Sequence, residues 1–277
     1  MKVAAVMVVH NAADFIRAAI DNVIGSIDRV LVLSADSPWN AIGKYAPDST
    51  RILLHEMEAS GRYPKMLVKR INFANEIQAR TWGLNFVRRE WPEITHVLIL
   101  DHDESYSPSG LAGLLNFVDA YPKTWNFYTT RETYWKSLDW RIYPREPYKP
   151  LTIHSTKWEL GNYKDGITTH REIGEANKQL IPEGVCVQHH ASWVRANDGK
   201  IREKFETFMH SKEILPGWFE EKWLGWTPDT LDFHPTYPPA YHRAIPSEPA
   251  DMPVEWLALK HFWKGNDVEA PQVVTLS

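Results

Sequence analysis

The sequence predicts an α/β protein built on a mostly parallel sheet flanked by helices. Three observations predict it. Short β-branched runs alternate with helical periods over the first 130 residues, the opening run Val3 to Val9 is apolar without a break, and His96 to Leu100 is nearly so. Unbroken apolar runs are what strands covered on both faces require.

The elements follow in order. Asp14 to Ile24 carries Phe15, Ala18, Ala19 and Val23 at helical spacing. Val30 to Leu33 reads as a second strand and Arg51 to His55 as a third, weaker one. Phe73, Ile77, Leu84 and Val87 share one face of a long helix whose other positions hold Glu76, Gln78, Arg80, Arg88 and Arg89. That helix ends at Trp91-Pro92, because proline cannot continue it. The strand at 96–100 then runs into Asp101-His102-Asp103-Glu104. Ser107-Pro108 supplies an N-cap with proline at the first helical position, opening a helix to about Tyr121, and Trp125 to Thr129 reads as another strand.

After residue 130 the pattern changes. Residues 131–165 are dense in aromatic and basic side chains with several prolines. Residues 183–194 read as a strand ending in His189-His190, and Asp198 to His210 alternates helically through Ile201, Phe205 and Phe208. From Pro216 the chain holds nine prolines and five tryptophans (Trp218, Trp223, Trp226, Trp256 and Trp263) without a long period, so a loop-rich extension is expected. The expected divisions are an α/β half over 1–130, a second half of the same domain over 131–212, and the extension over 213–277.

Composition narrows the function. A net charge of −4 excludes a generic polyanion binder, and a lone Cys186 excludes an intrachain disulfide framework and a cysteine-based zinc site. No apolar run approaches the ~18 residues of a membrane span. The apolar opening stops at His10-Asn11 and a charged amphipathic segment follows, which suits a buried strand better than a signal peptide. A cytoplasmic location is the expectation.

The acidic cluster carries the chemistry. Ligands of open α/β sheets sit outside the carboxyl ends of the strands, where Asp101 and Asp103 fall. Two apart in an extended segment, their carboxylates point to one side while His102 points away. They would form an oxygen half-site for Mg²⁺ or Mn²⁺, which takes its remaining ligands from water and phosphate and offsets the charge of a departing diphosphate. The competing reading is a helix cap that complements the dipole.

Three stretches carry a resemblance: Val6-Met7-Val8-Val9-His10-Asn11-Ala12, Gln78-Ala79-Arg80 through Ile99-Leu100-Asp101-His102-Asp103-Glu104, and His190-Ala191-Ser192-Trp193-Val194-Arg195. In this order, over about residues 1–210, the chain resembles the GT-A glycosyltransferases, in particular their broad family 2. The resemblance implies a GT-A, Rossmann-like sheet and a nucleotide-sugar donor. The nucleotide base would lie near His10, Asn11 and Asp36, with Arg80 and Asp101 also among the donor-binding residues. It further implies a Mn²⁺ or Mg²⁺ ion held by Asp101 and Asp103 and completed by His190, with His189 as the alternative. Adjacent histidines on a strand face opposite ways, so one of them at most enters a given site.

An inverting transferase needs a base for the acceptor proton. Glu159, Asp165, His170 and Glu172 are candidates, and Glu172 then Asp165 are preferred because Gly166-Ile167-Thr168-Thr169-His170-Arg171-Glu172 resembles a His-Glu element of some relatives. Between Tyr121 and Glu172 nine basic side chains meet six acidic ones among eleven aromatics. Rings there would stack on sugar faces or nucleobases, and Arg141, Arg145, Lys149 and Lys157 would hold an anionic acceptor. The acceptor is expected to be a glycan or a hydroxymethylated base in DNA. Alternatives are a non-catalytic carbohydrate- or nucleic-acid-binding module, and a sugar-phosphate nucleotidyltransferase. The latter would need a glycine-rich loop after the first strand, where Val9-His10-Asn11-Ala12-Ala13 has no glycine.

Overall fold

The computed structural model describes residues 1–36, 46–157, 177–207, 211–248 and 252–260. A seven-stranded sheet holds β1 (Val3–Val9), β2 (Arg29–Ser34), β3 (Met66–Arg70), β4 (His96–Ile99), β6 (Asn126–Tyr128), β9 (Leu151–Ser155) and β10 (Lys178–Leu180), in the order β10-β6-β9-β4-β1-β2-β3. The run from β3 to β4 is parallel, and only β9 is antiparallel to its neighbours. The expected α/β class is what the chain forms.

The opening run is apolar throughout because both faces of β1 are covered. Val3, Ala5, Met7 and Val9 pack against α1 (Ile16–Ile24), α2 (Thr50–Ala59) and α4 (Pro108–Ala120). Ala4 and Val6 pack on the other face against Leu84 and Val87 of α3 (Glu76–Glu90). Gly83 lets α3 lie close on that face, since a Cβ there would stand 2.6 Å from Val6 Cγ1. The Asn75 side chain caps α3 by accepting from Gln78 N–H, and Ser107 caps α4 by accepting from Gly110 N–H.

Two sequence expectations are corrected here. Arg51 to His55 is helical, within α2, because Thr50, Leu54 and Met57 are buried at helical spacing. The third strand is β3, an edge strand whose residues are only half-covered and so lack the apolar signal.

A second sheet is built from β5 (Glu104–Tyr106), β7 (Thr130–Trp135), β8 (Ser137–Tyr143), β11 (Val187–Trp193) and β12 (Arg243–Pro246), in the order β12-β8-β7-β11-β5. The strand expected to end at His189-His190 continues to Trp193. The chain passes from the first sheet to the second at residues 100–103, between β4 and β5. The extension covers the second sheet: Trp218, Phe219, Trp223, Phe233 and Tyr241 form a buried cluster with Trp135, Trp193, Ile201 and Phe205. Ile201 and Phe205 belong to α5 (Asp198–Thr207), and Trp256 of α6 (Val254–Lys260) packs against Phe15, which precedes α1. Among the described residues no helix is long and apolar enough to cross a membrane.

One pH effect follows from the fold. Burial pushes the His96 imidazole down to about 4. An imidazole harder to protonate folded than unfolded supports the fold above its unfolded pKa of ~6.5 and loses that support as pH falls toward the folded value. Between pH 6.5 and 4, His96→Gln should therefore lower the slope of urea-measured stability against pH by up to about 1.4 kcal/mol per unit. An unchanged slope would assign the acid sensitivity to other groups.

Candidate functional site

The site lies where the strand order changes direction. The chain places β2 and β3 on one side of β1 and β4 on the other, so the carboxyl ends of β1 and β4 flank a topological switch point. His10 and Asn11 leave β1 there, and Asp101 to Asp103 leave β4. The acidic segment is a turn, closed by Glu104 N–H donating to the Asp101 carbonyl at 3.1 Å. The two-residue alternation of an extended strand therefore does not set its side chains.

Each carboxylate of the turn has its own cation. Arg80 Nη2 donates to Asp101 Oδ1 at 2.5 Å and to Glu76 Oε1 at 2.8 Å. Arg195 Nη2 donates to Asp103 Oδ2 at 2.6 Å, and Arg131 Nη2 donates to Glu104 Oε1 at 2.5 Å. Asp101 remains 37% exposed, whereas the Asp103 side chain is 5% exposed. Lys204 on α5 brings a further cation, its Nζ 4.0 Å from Asp103 Oδ2 and 2.5 Å from Ser192 Oγ. Burial, aided by the Arg195 charge, pushes the Lys204 ammonium down to about 7.

The register explains how His190 arrives. In the β11–β5 ladder His190 pairs with Glu104, and Ala191 N–H donates to the Asp103 carbonyl at 2.8 Å. His190 Nε2 faces Asp103 Oδ1 across 3.8 Å. Burial, with Arg131 adding to it, holds His190 well below its ordinary range, so the imidazole is neutral and keeps a lone pair. His189 points the other way, against Trp256, where Tyr134 Oη and its Nδ1 are hydrogen-bonded at 2.9 Å.

As donors for a small divalent cation, Asp103 Oδ1 and His190 Nε2 fit. Mg²⁺ characteristically takes one or two carboxylates beside phosphate and water. Asp101 is turned toward Arg80 instead. Among the described residues no three His, Cys, Asp or Glu side chains gather closely enough to hold a metal by themselves.

The residues expected at the nucleotide have mixed engagements. His10 Nδ1 is 3.2 Å from the Ala35 carbonyl, and its Nε2 is buried without a partner. Asp36 lies at the exposed end of β2, its N–H donating to Asn72 Oδ1 at 2.9 Å and its carboxylate 3.7 Å from Arg51. Asn11 takes a left-handed φ of 46°, a conformation asparagine tolerates, and so turns the loop without glycine. Its side-chain amide donates to Glu203 on α5, and its Oδ1 accepts from Asp48 N–H at 2.9 Å. Asn11 therefore ties α5 over the loop. The candidate bases Glu172, Asp165, Glu159 and His170 lie outside the described residues.

Sequence reasoning gave no role to Lys204, Arg131 or Asn72. Lys200, Glu203 and Lys204 look like the solvated face of an amphipathic helix, and only the tertiary fold turns that face toward Asp48, Asn11 and Asp103. The basic belt also reads differently in three dimensions. Arg141 and Arg145 both bond Glu132 Oε2, at 3.1 and 2.7 Å, and Arg145 also bonds Glu183 at 2.6 Å.

No family model matches the chain, and no curated protein matches it. Among solved structures, a TarS fragment from S. aureus is 12% identical, with 69% of this chain and 61% of that one covered and a TM-score of 0.42. The same protein in complex with UDP-GlcNAc is 16% identical over 48% of this chain and 35% of that one, with a TM-score of 0.36. The 4-diphosphocytidyl-2C-methyl-D-erythritol synthase of Anaerococcus prevotii is 12% identical over 56% of this chain and 70% of that one, with a TM-score of 0.35. Likenesses at this level carry no argument about function.

Proposed function

We propose that the protein is a glycosyltransferase that moves a sugar from a nucleotide-sugar donor to a hydroxyl acceptor. The observation that carries the reading is the convergence of Arg195 and Lys204 on the acidic turn at the switch point of the sheet. An acidic turn met by Arg195 and Lys204 suits a nucleoside diphosphate. The cations neutralise phosphate oxygens as the sugar leaves, and the carboxylates accept from ribose or sugar hydroxyls. Arg195 binds as a planar fork, while Lys204, drawn toward neutrality by burial, becomes fully charged once a diphosphate arrives. His10 and Asp36 line the way to the base. Asp103 and His190 would hold Mn²⁺ or Mg²⁺, which when bound supplies further positive charge against the leaving diphosphate. Glu172 or Asp165 would take the acceptor proton if configuration inverts, and a cytoplasmic location belongs to the same reading.

The test uses the full chain and a panel of nucleotide sugars with Mn²⁺. Release of free nucleotide from at least one donor is expected, together with calorimetric binding of the matching nucleoside diphosphate. Lys204→Met should weaken that binding at least tenfold. A protein that neither binds nor cleaves any donor of the panel is a binding module instead, and the proposal fails.

A further inference from the structure

We infer that Tyr148 is the platform on which the ring of a neutral sugar acceptor packs; this deepens the transferase reading and rests on it. Tyr148 lies between β8 and β9 with 47% of its surface exposed, unlike Phe127, Tyr134 and Trp135 of the same span, which fill cores. Its ring is backed by the Arg131 guanidinium, 5.7 Å from the ring centroid. Arg131 in turn is bonded to Glu104 of the acidic turn and to Gln188 on β11, so the platform is wired to the site through a single side chain. Two residues earlier Glu146, 8% exposed, accepts a hydrogen bond from Thr133, which pairs with His190 in the β7–β11 ladder. The segment carrying the ring is thus fastened on both sides. With Arg131 against it, the ring is left 47% exposed at the rim.

The other exposed tyrosines do not share this setting. Tyr121 stacks on Phe117 at the end of α4, Tyr143 lies under Arg243 at the edge of the second sheet, and Tyr237 belongs to the extension. Charge selects the class of acceptor. Asp101, 37% exposed, is the open carboxylate of the turn, and Arg131, Arg141 and Arg145 are already paired with carboxylates. A phosphate backbone needs unpaired cations to release its counterions, and these three arginines do not offer them. A pyranose suits it. Its C–H face packs on the negative face of the ring, and its hydroxyls donate to nearby carboxylates.

The experiment follows nucleotide release from the donor that the wild-type protein cleaves. The added acceptors are p-nitrophenyl pyranosides of glucose, galactose, mannose and N-acetylglucosamine, or an oligonucleotide bearing 5-hydroxymethylcytosine. A pyranoside should accelerate release. Tyr148→Ala should raise the KM for that pyranoside at least tenfold while kcat at saturation changes less than threefold, and Tyr148→Phe should keep KM within threefold. Tyr237→Ala serves as the exposed-tyrosine control and should change neither. An unchanged KM in Tyr148→Ala overturns the inference. So does acceleration by the oligonucleotide alone, or by no acceptor, while donor is still cleaved. If the wild-type protein cleaves no donor, it is the transferase reading that has failed.

Discussion

Asp103→Asn is expected to abolish sugar transfer, by at least ~10²–10³-fold in kcat, and to destabilise the protein as well. The carboxylate is the centre of the site's charge balance: Arg195 bonds one oxygen at 2.6 Å, Lys204 stands 4.0 Å from it, and His190 faces the other at 3.8 Å. Removing its charge leaves the buried Arg195 guanidinium without its carboxylate. Breaking a buried pair by neutralising one partner typically costs about 3–5 kcal/mol. The loss of transfer must therefore be separated from a loss of fold. Arg195→Met in the same chain removes the stranded charge, so the double variant should recover much of the stability without recovering transfer. Wild-type stability carries the same interaction in its pH dependence. Burial alone would raise the Asp103 carboxyl, but His102 first and then Arg195, His190 and Lys204 outweigh burial and hold it well below the ordinary range. Its contribution is therefore present above about pH 4, the unfolded value, and is lost as pH falls through the folded one. Urea titrations of the three proteins and transfer assays on each are the measurement. Turnover retained by folded Asp103→Asn would remove the acidic turn from the mechanism.

The parts of this architecture readable in the residues are those governed by local period. The apolar run of β1 and the cap of α4 depend on side chains within a few positions, and they fall where the pattern places them. Arg51 to His55 shows where the pattern fails. Five residues with two leucines suit a strand or a helical turn equally, and burial of Leu54 with Met57 selects the helix. The site divides in the same way. Asp101, Asp103 and His190 were nameable because a strand end and a family resemblance point to them. Arg195 bonds a carboxylate 92 positions away, and no local rule links such residues. Counting charge over 121–172 found an excess of cations but not the buried Glu132 that occupies two of them.

Trp135→Ala is expected to cost about 3–5 kcal/mol and to reduce transfer even though Trp135 lies outside the acidic turn. Its ring is fully buried, with centroids at 4.5 Å from Phe233, 5.0 Å from Trp223, 5.8 Å from Trp193 and 6.0 Å from Trp218. Three of those four rings belong to the extension, so the cavity opens where the extension grips the second sheet. Trp193 lies on the strand that carries His190, and β7 carries both Arg131 and Thr133. Loosening the aromatic layer therefore frees the strands that aim His190 at Asp103 and hold Arg131 against Glu104. Trp135→Phe keeps most of the packing and discards an indole N–H that is buried without a partner, so it should cost less than half as much as the alanine variant. Tyr237→Ala, at a ring 63% exposed, should fall within about 0.5 kcal/mol of wild type. Denaturant midpoints rank the three variants, and transfer assayed well below the alanine variant's melting transition separates misalignment from unfolding. Equal costs for Trp135→Ala and Tyr237→Ala would show that the extension is not held by this layer.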